Sequence, residues 1–184
     1  MMRRLATILL LVCAALVATP ARAERDARVD ALLDRLKAAR DAGEAEALEG
    51  QIWRRWIEAG SSAAVSLVVI GAGAMQSGDL PAALGLFDAV TVQNPDYAEG
   101  WNKRATALFL MGALEKSAED VARVLALEPR HFGALSGLGL IRARQERWDD
   151  AIAAFDAALA VHPFLENARK NLEALKRQRG DRGI

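Results

Sequence analysis

The chain has 184 residues, with 24 lysines and arginines balanced by 24 aspartates and glutamates, one cysteine and two histidines. So even a charge leaves no basic footprint for a nucleic-acid backbone, and a single thiol excludes a disulfide framework. At this length one domain can bury roughly 70% of its surface without covalent staples.

The first segment, residues 1–23, reads as a secretory signal peptide. Met1-Met2-Arg3-Arg4 precedes an apolar run from Leu5 to Ala18, and Ala21 and Ala23 are small residues where a signal peptidase reads. The run is shorter than the roughly 20 residues that span a bilayer. Cleavage after Ala23 is expected, which makes the mature chain periplasmic or secreted; the alternative is an uncleaved anchor tethering the same domain to the membrane. Cys13 lies inside the run rather than at its end, so it is a poor lipid-bearing cysteine. Cleavage removes it with Arg3, Arg4 and Arg22, leaving a net charge of about −3 and no thiol for catalysis or metal binding.

Residues 24–63 carry Leu33, Leu36, Trp53 and Trp56 at helical spacing, interrupted by Lys37, Glu46 and Glu49, and read as a degenerate helix pair. Trp53 and Trp56, with Ile52 and Ile57 and flanked by Arg54 and Arg55, suit a packed core. The alternative is an exposed patch for a partner or a second copy, since aromatic and arginine residues are enriched at interface hot spots.

From residue 64 onward the chain repeats. Pro95, Pro129 and Pro163 are 34 residues apart and close units 64–97, 98–131 and 132–165. Equivalent positions agree down the three copies: the fourth is Leu67, Trp101, Leu135, the eighth is Gly71, Ala105, Gly139, and the twenty-fourth is Phe87, Val121, Phe155. Small residues at the eighth and twentieth positions (the latter Ala83, Ser117, Ala151) let two helices approach, and the large ones fill the space between units. Each unit divides at Gly78-Asp79, Gly112-Ala113 or Glu146-Arg147, and Leu80, Leu84, Phe87 and Val90 form one amphipathic stripe after the turn. Proline removes an amide donor and disfavours helix at the residue before it, so each unit ends there. Residues 166–184 keep Leu172 and Leu175 among many charges, as expected of a capping helix and tail.

Catalytic signals are absent from this pattern. Gly71-Ala72-Gly73-Ala74-Met75-Gln76-Ser77-Gly78 lacks the spacing, preceding strand and lysine of a phosphate loop. His131 and His162 each stand beside a unit-ending proline without a second ligand or a carboxylate orienter, and read as polar turn residues. Asp149-Asp150 opens a helix, where acidic side chains complement the dipole. No nucleophile, acid–base pair, metal site or cofactor site is expected, and no enzyme activity.

A 34-residue helix-turn-helix period with Trp101, the Gly/Ala column, Ala83, Ala151, Phe87, Phe155 and terminal prolines resembles the tetratricopeptide repeat (TPR). The likeness covers residues 64–165. It departs at Arg104 and Arg142, where the family prefers large apolar residues, so a thinner buried seam is expected there. The resemblance implies an all-α, right-handed superhelical solenoid of antiparallel helix pairs, about nine helices after the leader.

It also implies that the first helix of each unit lines a concave groove. Candidate binding residues are then Val68, Met75, Glu99, Asn102, Thr106, Phe109, Ser136 and Leu140, with apolar anchors at Val68, Met75 and Phe109 and backbone hydrogen bonds from Asn102 and Thr106. Some members grip the acidic C-termini of cytosolic chaperones with a lysine, arginine and asparagine clamp on this face. Here Gly133, Ser136 and Gly137 stand there, and Lys103 alone is no clamp. The expected function is non-enzymatic binding of a protein or peptide, as a cell-envelope scaffold or assembly factor, without nucleic acid or small-molecule substrate. The alternative is a self-associating structural scaffold using the Trp53/Trp56 region.

Overall fold

The computed structural model describes residues 20–181. Most of the expected leader, residues 1–19, lies outside the described residues, as do 182–184. The described residues form nine α-helices: α1 Pro20–Lys37, α2 Ala42–Glu58, α3 Ser62–Gln76, α4 Leu80–Gln93, α5 Ala98–Leu110, α6 Leu114–Leu127, α7 Phe132–Arg144, α8 Trp148–Val161 and α9 Glu166–Asp181. The turns within the three units share one device. The second residue after the first helix takes a left-handed conformation, with φ of 85° at Gly78, 79° at Gly112 and 59° at Glu146. Glycine adopts this freely, whereas Glu146 carries a side chain there.

Helix partners within a unit are set by size. A Cβ on Gly71 would lie 2.5 Å from the Phe87 ring and one on Gly139 would lie 2.7 Å from the Phe155 ring, so each glycine is the space its phenylalanine fills. The middle unit uses Ala105 opposite Val121, both buried. Burying each phenylalanine contributes about 2–3 kcal/mol.

Between units α4 packs on α5, α6 on α7 and α8 on α9. Among the first helices, α3 also meets α5, α5 meets α7 and α7 meets α9, while α4, α6 and α8 do not meet one another. The stack therefore curves with the first helices inside. At the far end Ala168, Leu172 and Leu175 of α9 bury against Ala151, Phe155 and Ala158, while Lys176 and Arg179 pair with Asp156 and Asp149. That is the one-sided pattern of a cap.

Arg104 resolves the departure at its position. It donates a two-pronged hydrogen bond to Asp120 of α6 at 2.7 and 2.6 Å, and bonds Asp88 and Thr91 of α4 at 2.9 and 3.0 Å. Its guanidinium also lies over the Trp101 ring, 4.7 Å from the centroid. A charged fork replaces an apolar plug and ties three helices together. Trp101 itself is half-buried, its indole N–H donating to the Pro95 carbonyl.

The helix pair α1–α2 forms as its apolar spacing predicts, but does not stack on α3–α4 as a preceding repeat. The chain turns by 118° between α2 and α3. α1 makes no approach to α3 or α4 and lies instead against α8, while α2 reaches α5. The hairpin thus folds back along the solenoid. The side of α3 that a preceding unit would cover is left open, with Val69 61% and Ile70 58% exposed.

Candidate binding surface on the inner face

α2 runs along the row of unit-ending loops, making one contact with each. At its C-terminal end the Tyr97 hydroxyl donates to the Ile57 carbonyl at 2.9 Å. One residue earlier, Trp56 stacks on His131, with ring centroids 3.9 Å apart and planes 10° from parallel. Near the helix midpoint, Glu49 meets Nε2 of His162 at 3.1 Å. Tyr97 and His131 close the first and second units at the same position of the repeat, and Leu165, which closes the third, packs against the hairpin's apolar cluster. Trp53 lies across Gly133, where a Cβ would come within 2.7 Å of its ring, and edge-on to Phe132. The cluster so formed unites Leu33, Leu36, Leu48, Ile52, Trp56 and Phe132. On its rim Arg130 pairs with Asp30 at 2.6 Å and Asp34 at 2.5 Å.

The two histidines are therefore not turn residues in solvent. Both are fully buried under the hairpin. His131 Nδ1 accepts from the Ala134 amide at 3.0 Å, which caps α7 and leaves the ring proton on Nε2. Burial, reinforced by the nearby Lys103 charge, pushes the His131 pKa down to about 3. The two tryptophans are likewise turned inward onto the same chain, Trp56 buried and Trp53 half-buried, rather than standing as a surface patch.

The eight residues expected to bind divide into three groups. Val68 is buried among Ala64, Val90 and Tyr97, and Met75 packs beside Ala83, Phe87 and Ala107, so both serve the first unit's interior. Glu99 is fully buried on α5, 3.9 Å from His131 Nε2. It accepts a 2.6 Å hydrogen bond from the Asn102 amide and faces Lys103 at 3.8 Å. Burial raises its pKa against the opposing pull of Lys103 and Asn102. Lys103 in turn lies over the Trp53 ring, 5.7 Å from its centroid. Ser136 is half-buried on α7.

Asn102, Thr106, Phe109 and Leu140 converge on one cleft of about 90 Å³ between α5 and α7, with Val121 and Ile141 also in its lining. The Asn102 amide that was expected to meet a ligand is engaged by Glu99. Thr106 donates its hydroxyl to the Asn102 carbonyl at 2.9 Å, so toward solvent it offers acceptor lone pairs. Arg144 lies over the Phe109 ring, 4.8 Å from its centroid, and puts a cation at the rim.

Among the described residues, four buried side-chain atoms make no hydrogen bond: Trp56 Nε1, Glu99 Oε1, His131 Nε2 and His162 Nδ1. Those of Trp56 and the two histidines belong to the contact between the hairpin and the repeats, and Glu99 lies behind His131, 3.9 Å from its Nε2. An unmet buried polar atom costs about 1–3 kcal/mol, so this seam is strained by composition while the unit-to-unit seams are not. No group of histidine, cysteine and carboxylate side chains suited to a metal occurs among the described residues.

The tetratricopeptide repeat family model matches residues 70–126 and 111–166. The chain belongs to the tetratricopeptide repeat family. A TPR repeat-containing protein of Rhizobium etli is 36% identical over 148 residues, covering 80% of this chain and 72% of that protein. The small glutamine-rich tetratricopeptide repeat-containing protein 2 of Mycosarcoma maydis is 27% identical over 105 residues, 57% of this chain and 30% of that protein. Among solved structures, the first TPR of Spaghetti (RPAP3) bound to the HSP90 peptide SRMEEVD superposes with a TM-score of 0.62 at 19% identity, covering 64% of this chain and 94% of that one. MamA gives 0.61 at 19% identity over 77% of this chain and 86% of its own. These likenesses establish the fold.

Within this TPR chain, sequence reasoning missed Tyr97, His131 and His162 as the seat of the hairpin. One signal was available: Tyr97 and His131 are large, ring-bearing residues at the same unit-closing position, where a solvated turn has no need of either.

Proposed function

We propose that this TPR protein is a protein-interaction module that takes one aliphatic side chain of a peptide or helical segment into the cleft between α5 and α7. The observation that carries the reading is the convergence of Asn102, Thr106, Phe109 and Leu140 on that cleft. Its lining supplies an apolar floor, Thr106 accepts from a ligand amide, and Arg144 at the rim meets an acidic side chain. The fold's likeness to a TPR domain solved with a bound peptide supports it. No residue set on the described surface calls for chemistry, so the reading is binding without catalysis. With the leader removed after Ala23, the setting is the periplasm or beyond, and the role is a scaffold or assembly factor of the cell envelope. Selection of a displayed random-peptide library on the purified protein tests this. Binders enriched for an aliphatic residue near an acidic one, and lost on Phe109→Ala and Leu140→Asp chains that keep their helical content, are expected. Binders indifferent to both substitutions would place the site elsewhere.

A further inference from the structure

We infer that the surface beneath the α1–α2 hairpin is a second, latent binding site, whose outside ligand is an amphipathic helix bearing an acidic residue one turn before two aromatic residues. α2 itself shows what the surface accepts. Glu49, Trp53 and Trp56 stand on one face of the helix, and each meets its own receptor: His162 for the carboxylate, the bare backbone of Gly133 for the first ring, and the His131 ring for the second. The spacing of four and three residues is helical, so any helix with this pattern presents the same three groups.

Two independent features mark α2 as a replaceable occupant rather than a fixed layer. Three of the four buried side-chain atoms left without a hydrogen bond among the described residues, on Trp56, His131 and His162, lie in this contact, so the hairpin satisfies its seat incompletely. Trp56 Nε1 leaves with the hairpin, and His131 Nε2 and His162 Nδ1 remain on the seat as groups that a partner helix can bond. The hairpin is also outside the repeat stack: α1 touches neither α3 nor α4, and α2 meets α3 only slightly beyond the short loop at 59–61. It can leave without pulling a repeat apart. Besides its packing on Phe132 and its Arg130 pairs, tethering keeps it in place by giving α2 an effective concentration no free ligand has until the cis contact is weakened. The two surfaces meet at Gly133, which lines the α5–α7 cleft and seats Trp53, but Leu140 lines the cleft alone, so a change at Leu140 tells the inference apart from the proposed cleft ligand.

The probe is a fluorescent synthetic peptide of residues Ala42–Glu58, titrated by anisotropy against the full chain. A Trp53→Ala/Trp56→Ala chain is expected to bind it saturably and at least about ten-fold more tightly than the wild type, whose own α2 fills the site. A peptide of the same composition in scrambled order should not bind. Leu140→Asp, added to the double variant, separates the two surfaces: binding that survives it belongs beneath the hairpin. Absence of binding to a variant that keeps its helical content, equal affinity for variant and wild type, or loss on adding Leu140→Asp would each overturn the inference. If the double variant does not fold, Asp30→Lys/Asp34→Lys takes its place, since it repels Arg130 from exposed positions of α1. Tighter binding to that chain than to the wild type supports the site, and equal binding refutes it.

Discussion

His131 shows how one side chain can hold two elements and make the fold sensitive to acid. Its Nδ1 caps α7 by accepting from Ala134, and its ring is stacked on Trp56. Protonation would put a charge in a dry seat beside Lys103, which is why its pKa falls to about 3 from the ordinary 6.5. The unfolded chain therefore binds a proton between those values that the folded chain refuses, and stability is lost as pH drops from about 6.5 towards 3, with a limiting slope of about 1.4 kcal/mol per pH unit. Glu99 acts with the opposite sign. Its folded pKa is raised above 4.5, so its contribution is lost as pH rises from 4.5 through that raised value. Below pH 4.5 the histidine acts alone of the two. Asn at position 131 preserves a capping oxygen without the titrating ring. Urea midpoints of wild type and His131→Asn, followed from pH 6.5 to 3, should converge as the wild type loses its histidine contribution; parallel curves would show that His131 does not titrate on unfolding. Carboxylates remote from the site cancel in the comparison, and making it in a Glu99→Gln background removes the one that lies 3.9 Å from His131 Nε2.

Helix pairing within each unit depends on a size exchange that can be reversed by design. Glycine faces phenylalanine in the first and third units, and alanine faces valine in the second. Gly139→Ala drives a methyl to within 2.7 Å of Phe155 and should cost about 1–3 kcal/mol through overpacking. Adding Phe155→Val recreates the pair of the middle unit. The two changes together should then cost at least about 1 kcal/mol less than the sum of their separate costs, measured as a double-mutant cycle in urea. Simple additivity would mean that the columns are independent. These columns were legible in the sequence because contacts inside a unit repeat at fixed spacing, so three copies of one contact could be compared. Arg104 was not legible in the same way. Read as a break in an apolar column, it implied a thin seam, whereas Asp120 and Asp88, each 16 residues away on flanking helices, turn it into a three-helix junction. Periodicity reports that a position departs from pattern; the partner that compensates lies on another element with no fixed offset.

At the scale of the whole molecule, the same limit explains where the hairpin went. Its apolar stripe was legible: Leu33, Leu36 and Trp56 are buried and Trp53 is half-buried. The surface it covers was not, because one stripe can bury against the open side of α3 or against the unit-ending loops. Phe132, Leu165 and the rings of Tyr97 and His131 line the second choice, and the cost of taking it is a bare α3 face and three unmet polar atoms. Stability should therefore be unevenly distributed. In a repeat stack each inner unit is held by neighbours on both sides, and α5 to α8 have them. The hairpin has one seam, and that seam is the strained one. Native-state hydrogen exchange should show α1 and α2 opening as a unit, with protection at least about ten-fold below that of α5 to α8, while the stack stays closed. Amides of α2 that exchange only with those of α5 to α8, at the rate of global unfolding, would instead make the hairpin part of a single cooperative core, with its unmet polar atoms offset by the packing of Trp56 and Phe132.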